Sequence, residues 1–259
     1  GTDPTHYGDS AVIAFRTPPV ERAAPPRPTV TSSGGEVNAD ALLDDNLNSA
    51  ADIAPAQPGT PAWLQYEYAG PFTARALTIA GPSGIPIGRV LAGDSEDDLR
   101  PALALPGAQL YRQERVRTFA LPEVTARIFR IELTAAPLGP AETMSQQPTA
   151  PAQSYRLSEA IFHGGARVHR WEEKAGFSFL FEYESVPTPP VATEATIDRV
   201  TVIDLTDRMR EDGTLDWEVP EGDWTILRLG YSLTGAKNRP ATPTGSGYEV
   251  DKLSAEHTR

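Results

Sequence analysis

Proline sets the first limit on what this chain can become. Its 259 residues include 25 prolines and 21 glycines. Proline removes a backbone donor and breaks helix interiors, while glycine favours turns. The abundance of both predicts many turns, few long helices and a mainly β core. Five prolines crowd into Thr17–Pro28, just after the short apolar run 10–16 (SAVIAFR). The run reads as a buried strand and the proline stretch as an extended linker that cannot be helical, so a domain boundary is expected near residue 28.

Residues 29–170 read as one β-rich domain, with strands expected at 62–68, 74–80, 88–93, 115–121, 127–133 and 156–169. Alternation places Trp63, Gln65 and Glu67 on one face and Leu64, Tyr66 and Tyr68 on the other. It likewise sets Ile128, Arg130 and Glu132 opposite Phe129, Ile131 and Leu133. Short strands separated by Gly/Pro turns predict an antiparallel β-sandwich. Asn38–Leu43 is the one short helix candidate in this region, and 134–154 reads as a long surface loop. Residues 171–195 read as a linker. Within 196–259, strands are expected at 200–205, 215–219 and 224–231, with a short helix and turn from Thr206 to Gly213.

The formal charge of −12 argues against nucleic acid and anionic membrane surfaces and suits neutral partners such as sugars. The chain has no cysteine, which removes disulfides, thiolate metal sites and cysteine nucleophiles. It holds no apolar run of membrane-spanning length. His163 and His169 would lie about 20 Å apart on one extended strand, too far to share a metal. Trp63, Trp171, Trp217 and Trp224 could stack on sugars, but their apolar strand contexts favour core packing.

Several segments resemble the discoidin, or galactose-binding-like, jelly roll. They are 41–47 (ALLDDNL), with Asp45 where a glycine is usual, then 61–68 (PAWLQYEY), 89–99 (RVLAGDSEDDL) and 125–131 (TARIFRI). In such modules the first of these loops lies near cation and ligand surfaces. Asp44, Asp45 and Asn46, together with Asp52, therefore become candidate oxygen ligands for calcium, the competing reading being a polar turn that closes a strand. The acidic run Asp94, Glu96, Asp97 and Asp98 reads as a solvated hairpin tip.

The most specific stretch is 215–241 (LDWEVPEGDWTILRLGYSLTGAKNRPA), followed by 245–254 (GSGYEVDKLS). It resembles glycoside hydrolase family 106, the α-L-rhamnosidases. Residues 11–15 and 166–177 resemble further pieces of the family in the same order. The resemblance implies a (β/α)8 barrel interrupted by β-rich modules, hydrolysis of terminal α-L-rhamnose with inversion, two catalytic glutamates and a calcium ion. It implies that the chain is an internal piece of a longer bacterial enzyme, periplasmic or extracellular. In that reading, residues 1–28 and 196–259 belong with the catalytic domain and 29–170 form an inserted sandwich. The catalytic glutamates fall outside this segment, and its partners are a rhamnose-containing glycoside and the rest of the same catalytic chain. If 226–231 were a barrel strand, Thr234, Lys237 and Asn238 would follow in its loop, and Glu249, Asp251 and Lys252 would reach the next mouth position. Thr234, Asn238, Glu249, Asp251 and Lys252 are thus the substrate-binding candidates, although Asp251 and Lys252 could equally cap a helix starting at Leu253. Two alternatives stay open: a carbohydrate-binding module and a purely structural sandwich.

Overall fold

Two long strands organise most of the chain. β4 (Ala62–Ala80) and β7 (Val116–Ala135) pair antiparallel along nearly their whole length. The structure is a computed structural model that describes residues 7–22, 24–106, 115–136, 152–174, 187–232 and 244–245. It divides into two compact units: Pro18–Thr196, and a second formed by Gly1–Thr17 with Ile197–Arg259.

In the first unit the sheet order is β2 (Thr29–Ser32), β4, β7, β5 (Ile87–Gly93), β6 (Arg100–Leu105), and β9 (Glu159–His163) also pairs β4. β3 (Ala51–Ile53) and β8 (Tyr155–Leu157) form a separate two-stranded ribbon. All these pairings are antiparallel. The expected strands 62–68 and 74–80 are one strand, as are 115–121 and 127–133. They read as separate because register shifts lie between Glu67 and Phe72 and between Ala74 and Ala76. In β4 the core members are Ala62, Leu64, Tyr66, Tyr68, Phe72 and Ala74 before the second shift, but Leu77 and Ile79 after it. The irregularity reverses which parity points inward.

That switch lets one strand pair serve both halves of a sandwich. Phe162 hangs from β9, which pairs with the distal half of β4 through Leu77. Its ring meets Tyr66 at 5.3 Å and Phe129 at 4.9 Å, both on the proximal half. The proximal and distal halves therefore face one another across a core of Leu64, Leu77, Ile79, Phe119, Phe129, Ile131 and Leu133. Gly88 marks a close approach: a Cβ there would collide with the backbone oxygen of Glu132 on β7.

Four sequence expectations are corrected in this unit. The stretch 156–169 is not one strand; β8 and β9 are separate and pairing stops at His163, before Gly164 and Gly165. Pro19–Arg22 forms a one-turn helix, α1, inside the proline stretch, because proline is accepted in a first turn whose N–H groups have no helical acceptor. The stretch taken as a linker begins with α2 (Trp171–Lys174), and its Glu172 and Glu173 are buried. The compact unit thus reaches beyond 29–170 at both ends. The short helix expected near Asn38–Leu43 is a 3-10 turn at Asp40–Leu42.

Charge fixes α2 to β7. The Thr118 N–H and hydroxyl donate to the two oxygens of Glu172 at 3.1 and 2.7 Å, and the Arg170 N–H donates to the Thr118 carbonyl at 2.7 Å. Arg117 and Arg170 flank Glu173 Oε1 at 2.8 and 3.0 Å, and all three side chains are buried. The Arg117 contact is close but misaligned, so its Nε and Nη1, with Arg170 Nη2 and Glu173 Oε2, find no hydrogen-bond partner. Burial accordingly lowers the Arg117 pKa, with Glu173 opposing it, and burial raises that of Glu172.

In the second unit β1 (Tyr7–Arg16) is central, flanked by β10 (Ile203–Asp204) and β11 (Trp224–Ser232), both antiparallel to it. Val12, Ala14 and Leu205 are its buried core, against which Met209, Leu215, Trp217 and Trp224 pack. Residues 215–219 form no strand; Leu215 makes one bridge to Met209 across a turn closed by Arg210, Thr214 and left-handed Gly213. The strand expected over 200–205 shrinks to Ile203–Asp204 behind a 3-10 turn at Arg199–Thr201. Strands of a (β/α)8 barrel run parallel. β11 is antiparallel to β1, so among the described residues 226–231 is not a barrel strand.

Removing Glu173 tests the buried cluster. Glu173→Leu leaves Arg117 and Arg170 buried without their shared anion and is expected to destabilise the sandwich by about 3–5 kcal/mol in urea unfolding. A loss below about 1 kcal/mol would show that the arginines find water instead.

Candidate functional site

The loop 38–49 holds the first group of candidates. Leu42, completely buried, anchors its 3-10 turn in the core. Beyond it the chain turns through Asp45, whose φ of 57° is left-handed. Aspartate tolerates that region better than most residues, which explains why it can stand where the related motif carries glycine. Asp44 accepts the Asn46 N–H at 3.0 Å and the Ser49 hydroxyl at 2.7 Å, and Asn46 Oδ1 accepts the Asn48 N–H at 3.1 Å.

Sequence reading missed the residue that gives this loop its chemistry. Glu159, the first residue of β9, is 4% exposed, and its Oε1 has no hydrogen-bond partner. Burial, followed by the neighbouring Asp45 carboxylate and then by Asp44, pushes its carboxyl up to about 6. Only Glu159 is buried; Asp44 and Asp45 beside it are exposed. Donors that are all oxygen suit a hard cation such as calcium. Among the described residues, however, no three His, Asp or Glu side chains stand in ready metal-binding geometry. Asp44 spends both oxygens inside the loop. The signal in the sequence was an acidic residue opening an apolar strand, Glu159 before Ala160–Phe162, but alternation groups it with half-exposed Ile161 and hides its burial.

Asp52 does not join this group; Arg156 holds it across the β3–β8 ribbon at 3.4 Å. At the acidic tip Asp94 accepts the Arg127 N–H at 3.2 Å, Glu96 accepts from Gln65 at 3.0 Å, and Asp98 pairs with Arg100 at 2.7 Å.

A cleft of about 300 Å³ lies between the Pro25–Pro26 segment, the Phe72 bend of β4 and His163. Its bordering charges satisfy one another. Arg167 clasps Glu21 at 2.5 and 3.2 Å, and Arg75 donates to the Gly164 carbonyl at 2.7 Å while pairing with Glu123 at 2.8 Å. His163 Nε2 bonds the Thr78 hydroxyl at 2.8 Å, and burial, reinforced by Arg167, lowers its pKa to about 4. His169 Nδ1 accepts the Ala120 N–H at 3.1 Å. Both histidines serve packing. Three tryptophans pack: Trp63 lies under Arg130 at 4.7 Å, and Trp224 sits between Arg16 at 4.2 Å and Trp217 at 5.3 Å, whereas Trp171 is 44% exposed and donates its Nε1 N–H to the Thr118 hydroxyl at 3.2 Å. The substrate-binding candidates Thr234, Asn238, Glu249, Asp251 and Lys252, with Lys237, lie outside the described residues.

Comparison with known proteins then gives the context. A solved rhamnosidase from Novosphingobium sp. PP1Y is 29% identical and superposes with a TM-score of 0.69, covering 97% of this chain and 22% of its own. A Formosa agariphila protein named "Putative beta-glucuronidase" is 46% identical over 69 residues, which is 27% of this chain and 6% of that relative. The chain therefore spans less than a quarter of either relative's length. Residues 1–259 match the glycoside hydrolase family 106 alpha-L-rhamnosidase family, and the chain belongs to it.

Proposed function

We propose that this chain is part of a longer bacterial, secreted α-L-rhamnosidase that releases terminal α-L-rhamnose with inversion of the anomeric carbon. The observation that carries the reading is the family match over 1–259, supported by the superposition on a rhamnosidase at a TM-score of 0.69. Inversion needs two separated carboxyl groups, one to protonate the leaving oxygen and one to activate water. Neither is assigned to a residue of this chain. Its contribution to the sugar site is Thr234, Asn238, Glu249, Asp251 and Lys252, which offer hydroxyl, amide, carboxylate and ammonium partners for rhamnose hydroxyls.

The test is hydrolysis of an aryl α-L-rhamnoside by the complete enzyme, with the product anomer followed by proton NMR. Glu249→Gln and Asp251→Asn are expected to lower kcat/KM by about 10- to 150-fold, the effect of losing a charged hydrogen bond. Faster cleavage of an aryl β-glucuronide than of the rhamnoside would overturn the assignment.

Calcium, in this reading, is held by Asp44, Asp45 and Asn46 together with Glu159. It would neutralise the carboxylates and stiffen the loop. Without it, the raised pKa of Glu159 stabilises the fold below about pH 4.5, and that contribution is lost as the pH rises through about 6. Millimolar calcium is therefore expected to raise Tm at pH 7 and to do little at pH 4.5. Glu159→Gln should remove both the calcium effect and the loss of stability between those pH values. An equal calcium shift in Glu159→Gln would place the ion elsewhere.

A further inference from the structure

A row of polar side chains crosses the outer face of the distal half of the sandwich. Thr78 of β4 pairs directly with Thr118 of β7 on one side and with Ile161 of β9 on the other. Directly paired residues of antiparallel strands share a face, and His163, two residues beyond Ile161, shares it too. Their neighbours Leu77, Phe119 and Phe162 point into the core. The polar contacts form an unbroken line. His163 Nε2 lies 2.8 Å from the Thr78 hydroxyl, that hydroxyl 3.1 Å from the Thr118 hydroxyl, and the latter 2.7 Å from Glu172 Oε1.

The chemistry of these groups leaves one direction for the hydrogens. A threonine hydroxyl has one hydrogen and two lone pairs. Trp171 Nε1 can only donate, and it takes one Thr118 lone pair at 3.2 Å. Ionised Glu172 can only accept, so Thr118 gives it its hydrogen. The second Thr118 lone pair then accepts from Thr78. Thr78, its hydrogen spent, accepts from His163, whose own hydrogen is therefore on Nε2. A proton on Glu172 turns every bond round. The Thr118 N–H holds Oε2 as an acceptor at 3.1 Å, so that proton belongs on Oε1. Thr118 then accepts from Glu172 and Trp171 and donates to Thr78, which donates to Nε2. The balance is one proton gained: Nδ1 takes it from water, the Nε2 hydrogen passes to Thr78, that of Thr78 to Thr118, and that of Thr118 to Glu172.

His163 also lines the cleft of about 300 Å³. We propose that this row is a proton-coupled switch, in which the charge of Glu172 decides whether Nδ1 of His163 is a hydrogen-bond acceptor or a donor at the cleft wall. Glu173 and Arg117 stand beside Glu172, with Arg170 sharing Glu173, and Arg167, Glu21 and Asp45 surround His163. Burial raises the Glu172 pKa from its ordinary value and lowers that of His163 to about 4, so acid reaches Glu172 while the ring is still neutral.

Nitrogen-15 NMR of the histidine rings reads the proton position, with His163 identified by the signals lost in His163→Gln. The Nε2–H form is expected at pH 7. In Glu172→Gln the amide oxygen has to serve the Thr118 N–H, so the amide NH2 donates to the Thr118 hydroxyl, and the two His163 ring shifts are expected to exchange places. Thr78→Val cuts the row and should make His163 indifferent to Glu172→Gln. Persistence of Nε2–H in folded Glu172→Gln would overturn the proposal, and an exchange of shifts that survives Thr78→Val would overturn its route. The unsubstituted chain decides the matter if Glu172→Gln does not fold. Acidification should carry His163 from Nε2–H to Nδ1–H in step with the Glu172 carboxyl carbon shift, before the ring becomes cationic near pH 4. A ring that passes straight from Nε2–H to the cation while Glu172 titrates would sink the switch.

Discussion

The sandwich depends on the antiparallel pairing of β4 with β7, and above all on the irregularity that interrupts it. A regular strand of that length would keep one parity inward and form a single flat face. The shift between Ala74 and Ala76 reverses the parity, so Leu64 and Tyr66 point into the same core as Leu77 and Ile79. Everything else attaches to this bent ribbon. β2 and β5 extend its proximal half, β9 its distal half, and Phe162 joins the two. The proline and glycine content suits such a design, since Gly70 and Pro71 stand where the ribbon bends.

Alternation made the two halves of each long strand legible, with the buried parity right for Leu64, Tyr66, Phe129, Ile131 and Leu133. It could not show their continuity, because a register shift looks like a break when only one strand is read. Short strands such as Thr29–Ser32 and Ala51–Ile53 carry too few alternations to register, and they exist because longer neighbours offer them an edge or ribbon partner. The turn at Leu215 was hidden for the opposite reason: its apolar residues fill a small core without strand pairing.

The two groups of buried acids show why burial, more than spacing, decides what an acid does. Glu172 and Glu173 looked like part of a solvated linker, yet they hold α2 to β7 beside Arg117 and Arg170. Glu159 looked like an ordinary strand residue, yet it faces Asp45 and Asp44 with no cationic side chain among the groups that shift its proton affinity. The first group carries its own counter-charges and is structural. The second has only anions among the groups that shift Glu159. Asp44, Asp45 and Asn46 could be singled out from the sequence, but their long-range partner could not.

The nesting of one unit within the other also constrains the order of assembly. Asp9 and Arg228 are 219 residues apart in sequence, yet they bond across β1 and β11. Closing so long a loop from an unfolded chain costs about 2 kcal/mol more entropy than closing one of roughly 20 residues. Once Pro18–Thr196 has folded, most of the intervening chain is already compact and the effective loop is short. During synthesis β1 emerges first and then waits, unpaired, for β11. The inserted sandwich thus acts as a tether that shortens the search of the two strands for one another.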